Sequence, residues 1–220
     1  NIANNDYICT VQTKKEIAIL TADIVESSLL RDDDKKLFQK KIENYPDDGI
    51  LLKPRFYRGD SFQLAAKPEK ALLLALKMRF EMKQWKAEND VRVAIGIGDV
   101  ASWNDNVLLA EGAAFERSGK NLDRLKGFDL NMIIVTGDLE LDDELETNCY
   151  LADEFIKNQT AVQAKMVSFM LDGFSQIEIA KKLNISQPSV SKSLKAANWK
   201  LIEKFMKRYE RIIQKHYGSN

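Results

Sequence analysis

The stretch FSQIEIAKKLNISQPSVSKSLKAAN, residues 174–198, is punctuated like two short helices joined by a tight turn. Ser175 is an N-cap residue by type, and Ile179, Ala180 and Leu183 recur behind it at helical spacing, with Ala180 small enough for two helices to cross there. Asn184 stands where the chain must turn, and Asn tolerates a left-handed backbone better than most residues. Ile185 is expected to plug the core beneath the turn, Ser186 to cap a second helix, Pro188 to occupy its first turn, and Val190 and Leu194 to face inward. This is the pattern of a helix-turn-helix, whose second helix lies in a DNA major groove. Ser186, Gln187, Ser189, Ser191, Lys192 and Lys195 are left facing outward as candidate DNA contacts. Gln pairs bidentately with adenine, Lys reaches guanine or phosphate, and Ser reads either weakly. Lys181, Lys182 and Lys200 are placed for the phosphate backbone.

Charge points the same way. The 220-residue chain carries 33 basic and 33 acidic residues, but residues 157–220 hold 12 Lys and Arg against 4 Asp and Glu, which leaves the front with 21 against 29. A basic tail suits phosphate neutralisation, and an acidic front repels DNA. Beyond the turn, Trp199, Ile202, Met206, Tyr209, Ile213 and His216 recur at spacings of three and four, with Phe205 and Ile212 beside them. They predict a final helix with an apolar stripe, to be covered by the front domain, by the other tail helices or by a second copy; a homodimer would match a two-fold DNA site. The segment SQIEIAKKLNISQPSVSKSLKAANWKLI resembles the helix-turn-helix of sigma-factor region 4 and of LuxR-type regulators.

The front reads as α+β. EIAILTADIVESS, residues 16–28, predicts a buried strand ending at Asp23, then a helix capped by Ser27 or Ser28 that carries Asp32, Asp33 and Asp34 at its positive end and breaks at Pro46. ILLKPRFYRGDSFQLAA predicts a hairpin around Arg58, Gly59 and Asp60, and Pro68 opens a second helix. RVAIGIGDV from Arg92 is another strand, whose glycines admit a close approach. A helix over Glu111–Arg124 and a strand from Asn131 follow, then an acidic helix or connector over 138–158. The order is that of a ferredoxin-like domain with an added helix and strand, so an antiparallel central sheet with helices on one face is expected. The expected domains are an α+β unit over 1–156 and an all-α helix-turn-helix unit over 157–220.

TADIVESS, GDSFQLAA, RVAIGIGDV and EGAAFERSGKNL, taken in order over about residues 16–136, resemble the SatD family and, more distantly, the catalytic domain of class III nucleotidyl cyclases. The resemblance implies that Asp23 and Asp60 face one another and hold Mg²⁺, which grips a nucleotide, with Arg58, Arg117 and Lys120 as phosphate contacts. The cyclase pattern is incomplete. Its purine-reading lysine is unmatched in the run Pro54 to Arg58, and its Asn and Arg fall on Glu116 and Lys120. A carboxylate there opposes developing phosphate charge, so no catalytic residue is assigned.

Other classes are disfavoured. A single histidine, His216, near the end argues against a His-based triad or zinc site. Cys9 and Cys149 lack metal-ligand spacing and fit a reduced compartment. With no membrane-length apolar run and no leader pattern, a cytoplasmic protein without a membrane partner is expected. The sequence thus points to a regulator that binds double-stranded DNA, its front domain sensing a small molecule such as a nucleotide or assembling a dimer. The alternative is a Mg²⁺-dependent, cyclase-like or nucleotide-processing enzyme whose tail docks it on DNA or a partner.

Overall fold

The structure, a computed structural model, describes residues 16–46, 48–102 and 104–218. Cys9 lies outside them. The described chain is α+β, with a five-stranded mixed sheet. Its strands are β1 (Ile17–Ile24), β2 (Ile50–Phe56), β3 (Ser61–Ala66), β4 (Val91–Gly98) and β5 (Met132–Val135), arranged in the order β2-β3-β1-β4-β5. The front helices are α1 (Asp32–Glu43), α2 (Ala71–Lys83), α3 (Ala113–Lys126) and α4 (Leu139–Lys157). The tail helices are α5 (Ala161–Leu171), α6 (Gln176–Leu183), α7 (Gln187–Ala196) and α8 (Trp199–Tyr217).

The sheet departs from the expected wholly antiparallel arrangement, because β5 runs parallel to β4. Helices also cover both faces rather than one. Side chains alternate along β1, so Ala18, Leu20, Ala22 and Ile24 join Phe38 and Ile42 of α1, Leu72 and Leu76 of α2, and Leu145 of α4 in one core. Ile17 and Ile19 point the other way, towards Ala114 of α3, and Thr21 donates to Ser118 of α3 at 2.8 Å. The chain leaves β4, crosses that second face as α3 and returns beside β4, which requires a parallel β5.

Ser27 and Ser28 do not cap α1 as expected. Residues Ser27–Leu29 form a 3-10 turn, and α1 begins at Asp32 with Asp32, Asp33 and Asp34 in its first turn. Pro54 fits β2 because β2 is an edge strand whose pairing slips between Leu52 and Arg55.

The tail packs directly on the front. Ala164, Val167 and Leu171 of α5, Ile179 of α6, Leu194 of α7 and Ile202 of α8 belong to the same core as α2 and α4. The apolar stripe of α8 is covered within this chain. Tyr209, fully buried, donates its hydroxyl to the Pro68 carbonyl at 2.6 Å, and Arg208 pairs with Glu144 of α4 at 3.0 Å. Lys77 of α2 reaches Asp172 at the end of α5 at 3.0 Å, and Gln159 Nε2 donates to the Ala197 carbonyl at 2.8 Å.

Candidate functional site

Helices α6 and α7 are built by local rules. The Ser175 side chain accepts from the backbone N–H of Glu178 while the Glu178 carboxylate accepts from the backbone N–H of Ser175, so two orphan donors at the start of α6 are satisfied. Asn184 ends the helix with φ 52° and ψ 47°, and Ile185 N–H then closes on the Ala180 carbonyl at 3.0 Å. Ser186 caps α7 by accepting from Ser189 N–H at 3.3 Å, and Pro188 occupies the first turn. Ile179, Ala180, Val190 and Leu194 are buried where the helices meet. Ile185 is not the expected plug: it is 39% exposed. Its backbone closes the turn while its side chain borders solvent, and the half-buried Leu183 packs against the core instead.

All six residues assigned to the outward face of α7 are exposed: Ser186, Gln187, Ser189, Ser191, Lys192 and Lys195. They divide by what already holds them. Ser186 and Ser189 hydroxyls bond each other at 2.8 Å within the cap. Gln187 Nε2 donates to Gln176 Oε1 at 2.9 Å, across the gap between α7 and α6. Among the described residues, Ser191, Lys192 and Lys195 show no side-chain hydrogen bond or ion pair. Lys182, assigned to the phosphate backbone, lies over the Phe174 ring at 5.2 Å, a cation–π position. Gln176 was not legible as a site residue, because its only signal is a spatial neighbour eleven residues away.

The structure brings Asp23 and Asp60 to adjacent strand ends, where the Ile24 N–H donates to the Asp60 carbonyl at 3.2 Å. Asp23 is paired across the sheet with Ser61 of β3 and with Arg92 of β4. Asp23 is 5% exposed, and its carboxylate takes Arg92 Nη1 on one oxygen and Lys126 Nζ on the other, each at 3.4 Å. Burial holds its pKa above the ordinary value, against the pull of Arg92 and Lys126. Asp60 accepts from the Ser27 hydroxyl at 2.6 Å and from the Ser61 hydroxyl at 3.2 Å. Mg²⁺ needs open carboxylate oxygens at about 2.1 Å, and both Asp23 oxygens already face a cation. Among the described residues no group of three or more His, Cys, Asp or Glu is arranged to hold a metal, so an ion at Asp23 and Asp60 would have these two carboxylates alone.

Of the expected phosphate contacts, Arg58 shares the hairpin turn with Asp60, while Arg117 and Lys120 lie on α3. Arg58 stands exposed at the hairpin tip, and Lys120 pairs with Glu116 at 3.1 Å on the wet face of α3. Arg117 donates to the Ile97 carbonyl, five residues along β4 from the Asp23 partner Arg92, roughly 17 Å at about 3.4 Å per residue. Gly98 and Gly137 make room for it: a Cβ on either would meet the Arg117 guanidinium at 2.4 or 2.2 Å. Beyond the end of β1, a cleft of about 430 Å³ is lined by Glu26, Leu29, Leu30, Arg31, Trp85 and Asn89. Glu26 holds a left-handed backbone there, φ 48°.

No protein-family model matches the chain, and a search of curated proteins finds no match. Among the described residues, no helix is long and apolar enough to cross a membrane.

Proposed function

We propose that this protein is a DNA-binding regulator, with α6 and α7 as a helix-turn-helix and α7 as the recognition helix in the major groove of double-stranded DNA. The observation that carries this reading is the outward face of α7. It is exposed along its length, bears Lys192 and Lys195 without internal partners, and presents a capped N-terminus to solvent while the opposite face is fully buried. An N-terminal half exposed towards base edges and a C-terminal half with lysines at phosphate height is the arrangement such a helix uses. The net positive charge of the tail supports it.

The front domain is read as ferredoxin-like, with β1 to β4 in the spatial order 4-1-3-2 and β5 added at the edge. That order supports the resemblance to SatD proteins and to cyclase catalytic domains. Its role here is sensing or dimer assembly in the cytoplasm rather than turnover, and the cleft beside Trp85 is the place for a small ligand.

Fluorescence anisotropy with random-sequence duplex DNA tests the central claim. Binding is expected at low salt and is expected to fall steeply with added salt. Lys192→Ala should weaken it and reduce the slope of log K against log salt by about one. Absence of binding at low salt removes the reading.

A further inference from the structure

We infer that Gln176 is a positioning residue that aims Gln187 at an adenine, so that this pair sets the protein's preference at one A·T base pair. The inference rests on the DNA-binding reading of α7. Gln187 is the first residue of α7 and Gln176 the first residue of α6, so both side chains leave helix N-termini on the exposed side of the tail. The hydrogen bond from Gln187 Nε2 to Gln176 Oε1, 2.9 Å, fixes the amide plane of a side chain that is otherwise free to rotate in solvent.

What the bond leaves over is the informative part. A primary amide has two N–H donors and two acceptor lone pairs. Gln187 spends one donor on Gln176 and keeps one N–H and its carbonyl oxygen, the donor and acceptor that match adenine N7 and N6 in the major groove. The neighbouring exposed hydroxyls are less able to read a base, since Ser186 and Ser189 are held by each other and by the cap. Ordering Gln187 before binding also removes part of the side-chain entropy that base contact would otherwise cost. Gln176 therefore acts on the base through Gln187.

The experiment selects binding sites for the full chain from a randomised duplex pool, then measures affinity for the preferred site and for variants of each base pair. Gln187→Ala should abolish the preference at one A·T position, a loss of roughly 5- to 150-fold in discrimination. Gln176→Ala should lose most of the same preference at that position, and the double variant should lose no more than either single. Gln176→Glu keeps an oxygen for Gln187 Nε2, so it should retain the preference while affinity falls for every sequence, because a negative charge is brought near phosphate. A merely structural role for Gln176 would change affinity or thermal midpoint without changing the profile at one base pair. If the wild-type chain binds DNA but Gln176→Ala keeps its preference, or if Gln187→Ala loses preference at a position other than A·T, this inference fails and the DNA-binding reading stands. Failure of the wild-type chain to bind any duplex overturns both.

Discussion

Arg79 and Asp153 meet inside the core, with Nη1 of the guanidinium 2.6 Å from Oδ1 of the carboxylate. The other edge of the same guanidinium forms two bonds to Asp90, at 2.9 and 2.7 Å, so one α2 side chain joins the start of β4 to α4. Asp90 also accepts from Val91 N–H at 2.8 Å and from Asn131 Nδ2 at 3.1 Å. Removing Arg79 takes away the cation that both buried carboxylates share, and Arg79→Ala is expected to cost about 3–5 kcal/mol in urea denaturation. Glu116→Ala, which breaks the exposed pair with Lys120, should leave the midpoint unchanged.

Asp23 and Asp90 should respond to pH with opposite signs. Burial holds the Asp23 pKa above its unfolded value, so the folded state binds its proton more tightly than the unfolded chain does. Its contribution is full below the unfolded carboxylate value, about 3.9, and is lost as pH rises through the raised folded value. Burial also pushes Asp90 upward, but the Arg79 charge outweighs it and the pKa is lowered. That contribution is present above the unfolded value and is lost as acid protonates the folded carboxylate. Asp23→Asn should therefore raise the urea midpoint at neutral pH and match wild type at strongly acid pH, while saturating Mg²⁺ shifts neither curve.

Two glycines, one in β4 and one in α3, should behave oppositely. A Cβ at Gly96 would lie 2.2 Å from the Ala114 carbonyl oxygen and 2.6 Å from Ser118 N, both backbone atoms of α3. Neither can move without lifting the helix off β4. Gly96→Ala is expected to cost more than about 2 kcal/mol, the scale of overpacking. Gly119 lies inside α3 with nothing within 4 Å of the added carbon. Gly119→Ala should stabilise by about 0.5–1 kcal/mol through helix propensity. Thermal melts of the two variants give the comparison.

The parts of the fold that were legible in the sequence were set by neighbours along the chain. The cap at Ser175, the left-handed Asn184, and the buried Val190 and Leu194 follow from spacing over a few residues. So does the hairpin turn at Arg58 to Asp60, where Gly59 takes φ 70°. What failed depended on distant partners. Arg79 is one of four charged residues of α2, and what buries it is its meeting with Asp90 and Asp153 beyond the helix. The sequence could place Asp23 and Asp60 at adjacent strand ends, but not the Arg92 and Lys126 charges that close off Asp23. Gly96 and Gly98 marked the close approach of α3 to β4, yet not that α3 lay on the opposite face from α2.

The tail and the sheet should unfold together, and Tyr209 is the residue that tests it. Its hydroxyl bond to the Pro68 carbonyl spans 141 residues and sits where α8 lies on the 3-10 turn leading into α2. Around it Ile202, Phe205, Ile212 and Ile213 are buried in the core that also holds Leu72 and Leu76. Separating the tail would expose that stripe to water, so no independent tail transition is expected. Tyr209→Phe removes one donor while the Pro68 carbonyl keeps the Ala71 N–H, at a cost of about 0.5–1.5 kcal/mol. Trp85 reports on the front and Trp199 on the tail. With Trp103 replaced by Phe and each of the other two tryptophans kept in turn, the two reporters should give one urea midpoint, and Tyr209→Phe should lower both by the same amount. Two separate midpoints in the parent protein, or a shift confined to the Trp199 reporter, would show that the tail is held to the sheet less tightly than its shared core requires.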